Sequence, residues 1–390
     1  MSEHIPLSVP TLRGNEWKYI KECLDTEWVS SGGAYVDLFQ KRIVDYTGAR
    51  HAVAIVNGTS ALQVALRLAG VEAGDEVIVP TLTFIAPVNA VSYLNAVPVF
   101  MDCDDYYNID VEKTIRFIQE ETIFRDGATY NKKTNRRIRA VIPVHVFGNA
   151  VDLEPLVPVC RARAIKIIED ATESLGTCYT VGSLKGKHTG TIGDMGCYSF
   201  NGNKIITAGG GGMLVTDSEE YASKADYLIN QAKDDHIHYI HNEIGYNFRL
   251  SNIQAALGVA QLERLNEYIK IKEENYLVYK GEIYKIPGLN IADTPGYAQS
   301  NYWFYCLQVD EPVYGKGRES IMTFLGKHRI QIRPVWQLNH LQTPYMDNMR
   351  YFIEKAPVLA AATLNIPCSV TLRREDKEKV INLLQQHAGA

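Results

Sequence analysis

Between residues 51 and 217, short runs rich in Val and Ile alternate with helical stretches. Ala52–Val56, Glu76–Pro80, Val97–Met101, Arg139–Val144, Ile165–Glu169 and Met213–Thr216 read as strands, several of them apolar on both faces. Such strands must be covered on both sides, the condition of a parallel sheet lying between helices. Ser60–Ala69, Pro87–Leu94 and Leu153–Arg163 are helical stretches that can supply the cover. The alternation predicts an α/β domain with a mostly parallel sheet. Glu120–Arg139 interrupts it: polar and turn-rich, with six Lys and Arg residues, it reads as a solvated loop rather than a nucleic-acid arm.

From Asn252 the texture changes. Ile253, Ala256, Leu257, Ala260, Leu265 and Ile269 keep helical spacing, predicting one long helix to about Tyr284, ended by Pro287–Gly288. Strands at Trp303–Val309 and Gln331–Val335, with helices at Arg318–His328 and from Arg374, predict a second, smaller α/β domain. A chain of 390 residues exceeds one ordinary core, and we place the division at 1–255 and 256–390.

The formal charge of −5 argues against a broad nucleic-acid or anionic-membrane surface. Seven scattered cysteines without a CxxC pair fit reduced thiols in a cytoplasm. MSEHIPLSVP lacks a signal-peptide pattern, and no apolar run approaches the length of a membrane span. A soluble, cytoplasmic protein is expected.

Four features could carry chemistry. Asn57–Gly58–Thr59–Ser60 joins a strand to a helix, where free N–H groups, a glycine and two hydroxyls form a phosphate cradle; the same residues also make an ordinary helix cap. Glu169 and Asp170 end an apolar strand, where an acid can pair with a cationic ligand nitrogen or simply cap the next helix. Lys204 sits among small and apolar residues. A lysine shielded from water is a competent amine nucleophile for a Schiff base, and a lone lysine is equally a surface loop residue. Gly209–Gly212 lacks GxGxxG spacing and leads into a strand, so no dinucleotide fingerprint is present. His236, His238 and His241 form HxHxxH without a supporting Cys or acidic pattern; polar active-site residues are expected there, and no metal. In chain order, a cradle, Phe84, Asp170, Ser199 and Lys204 are what a pyridoxal phosphate site needs: phosphate donors, a ring-stacking face, an acid for the pyridine nitrogen and an amine for the aldehyde.

The segments NGTSAL (57–62), TLTFIAP (81–87), PVFMDCD (98–104), IEDATESLG (168–176), TIGDMGCYSFNGNK (191–204), GYNFRLSNIQAALG (245–258) and IRPVW (332–336) resemble the DegT/DnrJ/StrS family of pyridoxal-phosphate-dependent sugar aminotransferases. The resemblance implies fold type I (aspartate-aminotransferase-like), with a large mixed, mostly parallel sheet and a smaller C-terminal α/β domain. By resemblance Lys204 holds the cofactor and moves the proton, Asp170 pairs with the pyridine nitrogen and Phe84 stacks on the ring. Gly58, Thr59, Ser60 and Ser199 hold the phosphate, and Asn247 reaches the phosphate of the other subunit of a homodimer. Glu173 stands where the family often has His or Gln near the ring hydroxyl, and a lysine rather than histidine at 204 separates the chain from related sugar dehydratases. His238, His241, Arg249, Arg333 and His340 are the expected substrate contacts.

NGNKIIT, YIHNEIGYNFRLSN (239–252), RPVW followed by His340, and YNKKTNRRIRAVIPVHVFGN (130–149) resemble a narrower group. These are aminotransferases acting at C4 of UDP-linked 4-keto-6-deoxy-N-acetylhexosamines, in legionaminic acid and bacillosamine pathways of bacterial surface glycans. L-Glutamate as donor and a ping-pong cycle are implied. Transfer at C3 or C4 of a dTDP- or GDP-keto-deoxysugar, of the perosamine type, is the alternative; a non-catalytic regulator on the same fold is the reading from another class.

Overall fold

The structure, a computed structural model, describes residues 4–235 and 237–389, so His236 lies outside the described residues. Its strands are β1 His51–Ile55, β2 Glu76–Pro80, β3 Val97–Met101, β4 Thr122–Arg125, β5 Ala128–Asn131, β6 Arg137–Val141, β7 Lys166–Asp170, β8 Cys178–Tyr179, β9 Met195–Ser199 and β10 Gly212–Thr216. Then come β11 Lys233–Asp235, β12 Ile240–His241, β13 Leu289–Ile291, β14 Ala298–Gln299, β15 Tyr305–Val309, β16 Arg333–Pro334, β17 Arg350–Tyr351 and β18 Thr363–Ile366.

The large sheet runs β1-β10-β9-β7-β6-β2-β3-β17, with the β4–β5 hairpin added beside β6. From β9 to β17 every neighbour on this path is parallel, whereas β10 pairs antiparallel with both β9 and β1. β2 and β10 are buried along their whole length, as the double-sided apolar pattern requires. A second sheet, β13-β15-β18-β16, is antiparallel and packs its own apolar cluster, including Tyr279, Ile283, Leu307, Leu325, Leu364 and Leu384. Among the described residues no helix is long and apolar enough to cross a membrane.

Three expectations give way. Glu120–Arg139 is not a loop: β4 and β5 form a hairpin around Asp126 (φ 50°) and Gly127 (φ 76°), and β5 pairs with β6. Two consecutive positive φ values are what a two-residue hairpin turn needs, and Asp-Gly supplies them at low cost. The long helix from Asn252 is two helices, Asn252–Leu262 and Leu265–Ile283, broken at Glu263–Arg264. Finally, Met195–Ser199 is a central strand that the sequence pattern did not bring out. A Cβ at Gly196 would lie 2.0 Å from the Gly190 carbonyl oxygen, so the 190–193 loop lies directly on the strand.

That loop is held by Glu169. Its Oε1 accepts the N–H groups of Ile192 and Gly193 at 2.6 Å each, and its Oε2 accepts the Gly190 N–H at 2.7 Å. Oε2 also accepts the His145 Nε2–H at 3.0 Å, while His145 Nδ1 accepts the Val151 N–H at 3.0 Å. Consecutive strand residues face opposite ways, so this carboxylate is committed to structure while its neighbour Asp170 is not. Glu169→Ala strands one buried and two half-buried backbone donors, and urea denaturation should show a loss of about 3 kcal/mol; an unchanged midpoint would contradict this role.

Candidate active site

Open parallel sheets present ligands at the carboxyl ends of their strands, and here those ends surround a cavity of about 310 Å³. Asp170 ends β7, Ser199 ends β9, and Thr83 and Phe84 follow β2. Asn57 and Gly58 open the helix Gly58–Leu68 just after β1. The helix is capped, but by Asn57: its Oδ1 accepts the Ser60 N–H at 2.8 Å. Thr59 therefore keeps its hydroxyl for the cavity, which it lines with Gly58, whereas Ser60 is buried and does not line it. A Cβ at Gly58 would meet Thr172 Cγ2 at 2.8 Å and Ser199 Cβ at 3.0 Å. One at Gly212 would lie 2.5 Å from the Asn57 carbonyl carbon. The glycine run thus brings the Asn57 turn down onto β10, leaving a cradle of backbone amides and hydroxyls.

On the other side stand three ionisable groups. Asp170 is buried, and its Oδ1 accepts the Thr172 N–H at 3.0 Å. Burial raises its carboxyl above the usual range, against the Thr172 hydrogen bonds and the nearby Lys204. Glu173 Oε1 lies 3.6 Å from Lys204 Nζ, with side chains only 3% and 13% exposed. Glu173 Oε2 accepts the Phe147 N–H at 2.9 Å. Burial pushes the Glu173 carboxyl up to about 7; the Lys204 ammonium and the Phe147 N–H pull it down, and Asp170 adds to the rise.

Phe147 holds a left-handed φ of 57°, uncommon for an aromatic residue, and stacks on Trp336 at 4.8 Å. Phe84 tilts over Trp336 at 6.2 Å, half-exposed at the cavity mouth. Asn201, Asn203, Trp303 and Phe304 complete the lining. None of these four, nor Trp336, was singled out as a site residue from the sequence. Trp303 and Phe304 looked like the start of a core strand, yet β15 begins only at Tyr305.

Gly58, Thr59, Phe84, Asp170, Glu173, Ser199 and Lys204 therefore share one cavity. The other expected residues lie outside its lining. His238 and His241 sit exposed at the β11–β12 hairpin, bonded to Asp235 and to the Gln231 carbonyl. Asn247 bridges to Asn230 and is exposed; Arg249 bridges to Ile55 beside the site. Arg333 is exposed near Arg329 and His4, and His340 is buried with Nδ1 2.6 Å from Thr81 Oγ1.

Glu173 makes folding pH-dependent. The folded state holds its proton more tightly than the unfolded chain, so stability present at low pH is lost as pH rises from about 4.5 to about 7. Glu173→Gln removes this titration. Across that window the variant should gain on the wild-type cofactor-free protein by about 3 kcal/mol, read as a growing difference in Tm. A difference that stays flat would refute the assignment.

The family model described as the DegT/DnrJ/EryC1/StrS aminotransferase family matches residues 10–385. A GDP-perosamine synthase of Caulobacter vibrioides is 36% identical over 386 residues, 98% of each chain. A GDP-perosamine synthase of Escherichia coli O157:H7 is 34% identical over 376 residues, 96% of this chain and 95% of the other. Among solved structures, a DegT/DnrJ/EryC1/StrS aminotransferase from Brucella abortus superposes with TM-score 0.86 at 25% identity, over 96% of both chains. DesI, crystallised with its TDP-sugar product, gives 0.87 at 26%, over 100% of this chain and 94% of the other. The fold is type I, and the chain belongs to the DegT/DnrJ/EryC1/StrS family of pyridoxal-phosphate-dependent aminotransferases.

Proposed function

We propose that this sugar aminotransferase moves the amino group of L-glutamate to C4 of a GDP-linked 4-keto-6-deoxysugar, of the perosamine type. The observation that carries the reaction class is a shielded Lys204 amine beside two buried carboxylates in a cavity with a phosphate cradle. What favours GDP is the pair of relatives named GDP-perosamine synthase, aligned over nearly the whole chain. They move the weight away from the UDP-N-acetylhexosamine expectation, which rests on NGNKIIT, residues 239–252, RPVW followed by His340, and residues 130–149.

The residues present suit pyridoxal phosphate. Gly58, Thr59 and Ser199 surround a cradle that a Cβ at Gly58 would crowd, and they would hold the phosphate. Burial raises the Asp170 carboxyl, and a cationic ring nitrogen beside it would favour its ionised form. When bound, the cofactor supplies the electron sink and carries the amino group from one substrate to the other. Asp170 would keep a proton at the ring nitrogen, and Phe84 would cover a ring face. Lys204 Nζ would anchor the cofactor, then hold and move the proton at the substrate carbon.

The neighbouring copy supplies the remaining contacts in this reading. The β11–β12 hairpin leaves Ile237 81% and Ile244 82% exposed, an apolar surface suited to burial in a homodimer. In that dimer Asn247 would reach the partner subunit's cofactor phosphate, and His238, His241, Arg249, Arg333 and His340 are the proposed substrate contacts. Residues 1–255 form the cofactor-binding unit and 256–390 the smaller one in the same proposal.

Turnover with glutamate and GDP-, dTDP- or UDP-linked 4-keto-6-deoxysugars tests the assignment. kcat/KM should be highest for the GDP sugar by about tenfold or more; preference for the UDP-N-acetyl sugar would overturn the GDP assignment. Lys204→Ala should lose about 10³-fold or more in kcat while staying folded, and retained transamination would remove Lys204 from the chemistry.

A further inference from the structure

Lys204 is held by more than charge. Its Nζ lies 4.0 Å from the centroid of the Trp303 ring, closer than a cation needs to be to feel the negative face of an indole. Glu173 Oε1 attracts the amine from 3.6 Å, an ion-pair distance longer than a strong hydrogen bond. The ring is fixed from two directions. Its Nε1–H donates at 2.7 Å to the carbonyl oxygen of Asn203, the residue joined to the Lys204 nitrogen. The Trp303 N–H donates at 3.0 Å to Asn301 Oδ1, while Asn301 Nδ2 donates to the carbonyls of Glu173 at 2.9 Å and Leu175 at 3.0 Å. One asparagine thus ties the indole to the backbone of the carboxylate that attracts the amine. Asn301 is itself closely packed, since a Cβ at Gly148 (φ +93°) would lie 2.0 Å from its Oδ1.

We propose that Trp303 is a positioning residue that gives the proton-bearing Lys204 amine its resting place whenever that amine is free of the cofactor. The proposal rests on the aminotransferase reading, in which Lys204 spends part of each cycle released. A ring face accepts a cation over a broad area and forms no directional bond to it. The ring can therefore shelter the amine from water without locking it onto Glu173 or Asp170. The Asn203 anchor makes the ring follow the lysine's own backbone, so amine and rest keep register.

Fluorinated tryptophans at position 303 test this at nearly constant shape, because each fluorine weakens the negative ring face. In cofactor-free protein, acetylation of Lys204 by acetic anhydride at pH 8 is measured by peptide mass spectrometry against exposed Lys270. Labelling should rise stepwise with fluorine number, to about five- to tenfold for the tetrafluoro ring. In the loaded enzyme kcat should fall while KM for glutamate holds. Trp303→Phe, which keeps a ring face but loses the anchor, should lie between wild type and Trp303→Leu. Labelling independent of fluorine number overturns the proposal. A wild-type protein that forms no absorbance band near ~400 nm with added pyridoxal phosphate removes the reading beneath it, and the proposal with it; a normal band with flat labelling defeats the proposal alone.

Discussion

Keeping a primary amine out of water beside carboxylates that are also out of water is the constraint on which the rest of this molecule turns. A buried ammonium is costly unless compensated, and a buried carboxylate equally so. Here neither is neutralised by a tight ion pair. Glu173 faces Lys204 from 3.6 Å, and its carboxyl is pushed up to about 7 by burial. Asp170, three residues earlier at the end of β7, is raised for the same reason. Burial thus favours the neutral form of both acids, and the surrounding fold holds the three groups in place.

Strand β7 shows how the fold does so. Glu169 and Asp170 are adjacent acids, and sequence alone left both open to either a ligand or a capping role. The pleat separates them: Glu169 takes three backbone amides and His145, and fixes the loop that lies on β9. β9 ends at Ser199 and leads to Lys204 five residues on, so the structural acid positions the strand that delivers the amine. Asp170 is left facing the cavity.

The sequence showed the parts whose signal is local. Double-faced Val/Ile runs located β1, β2, β3, β6, β7 and β10 within a few residues; Asp170 ends one of them, and Gly58 opens the helix that follows another. The β4–β5 hairpin was also legible, through Asp126–Gly127, but the basic residues around it outweighed the turn. β9 was not, because a five-residue strand containing Gly196 carries little pattern of its own and is specified by its neighbours. Nor was the break at Glu263–Arg264, where neither glycine nor proline marks the end of a helix whose apolar spacing continues. Trp303, Phe304 and Trp336 come from segments more than a hundred residues from the cradle in sequence, and only tertiary packing brings them to it.

That separation bears on how one floor can serve different sugars. The cradle, the two acids and the amine all sit on or beside strands of the large sheet, where moving one by an ångström disturbs its neighbours. Trp303, Phe304 and Trp336 instead lie on short segments flanking the second sheet, packed on Phe147 and on one another at 4.1–6.3 Å. Changes in that aromatic wall, or in Asn201 and Asn203 beside it, alter the shape of the cavity while leaving the large-sheet hydrogen bonds intact. Of the cavity's sides, the aromatic wall is therefore the one whose shape can change with least disturbance to the large sheet. Trp303 is tied further within it, because its ring also meets the Lys204 amine at 4.0 Å.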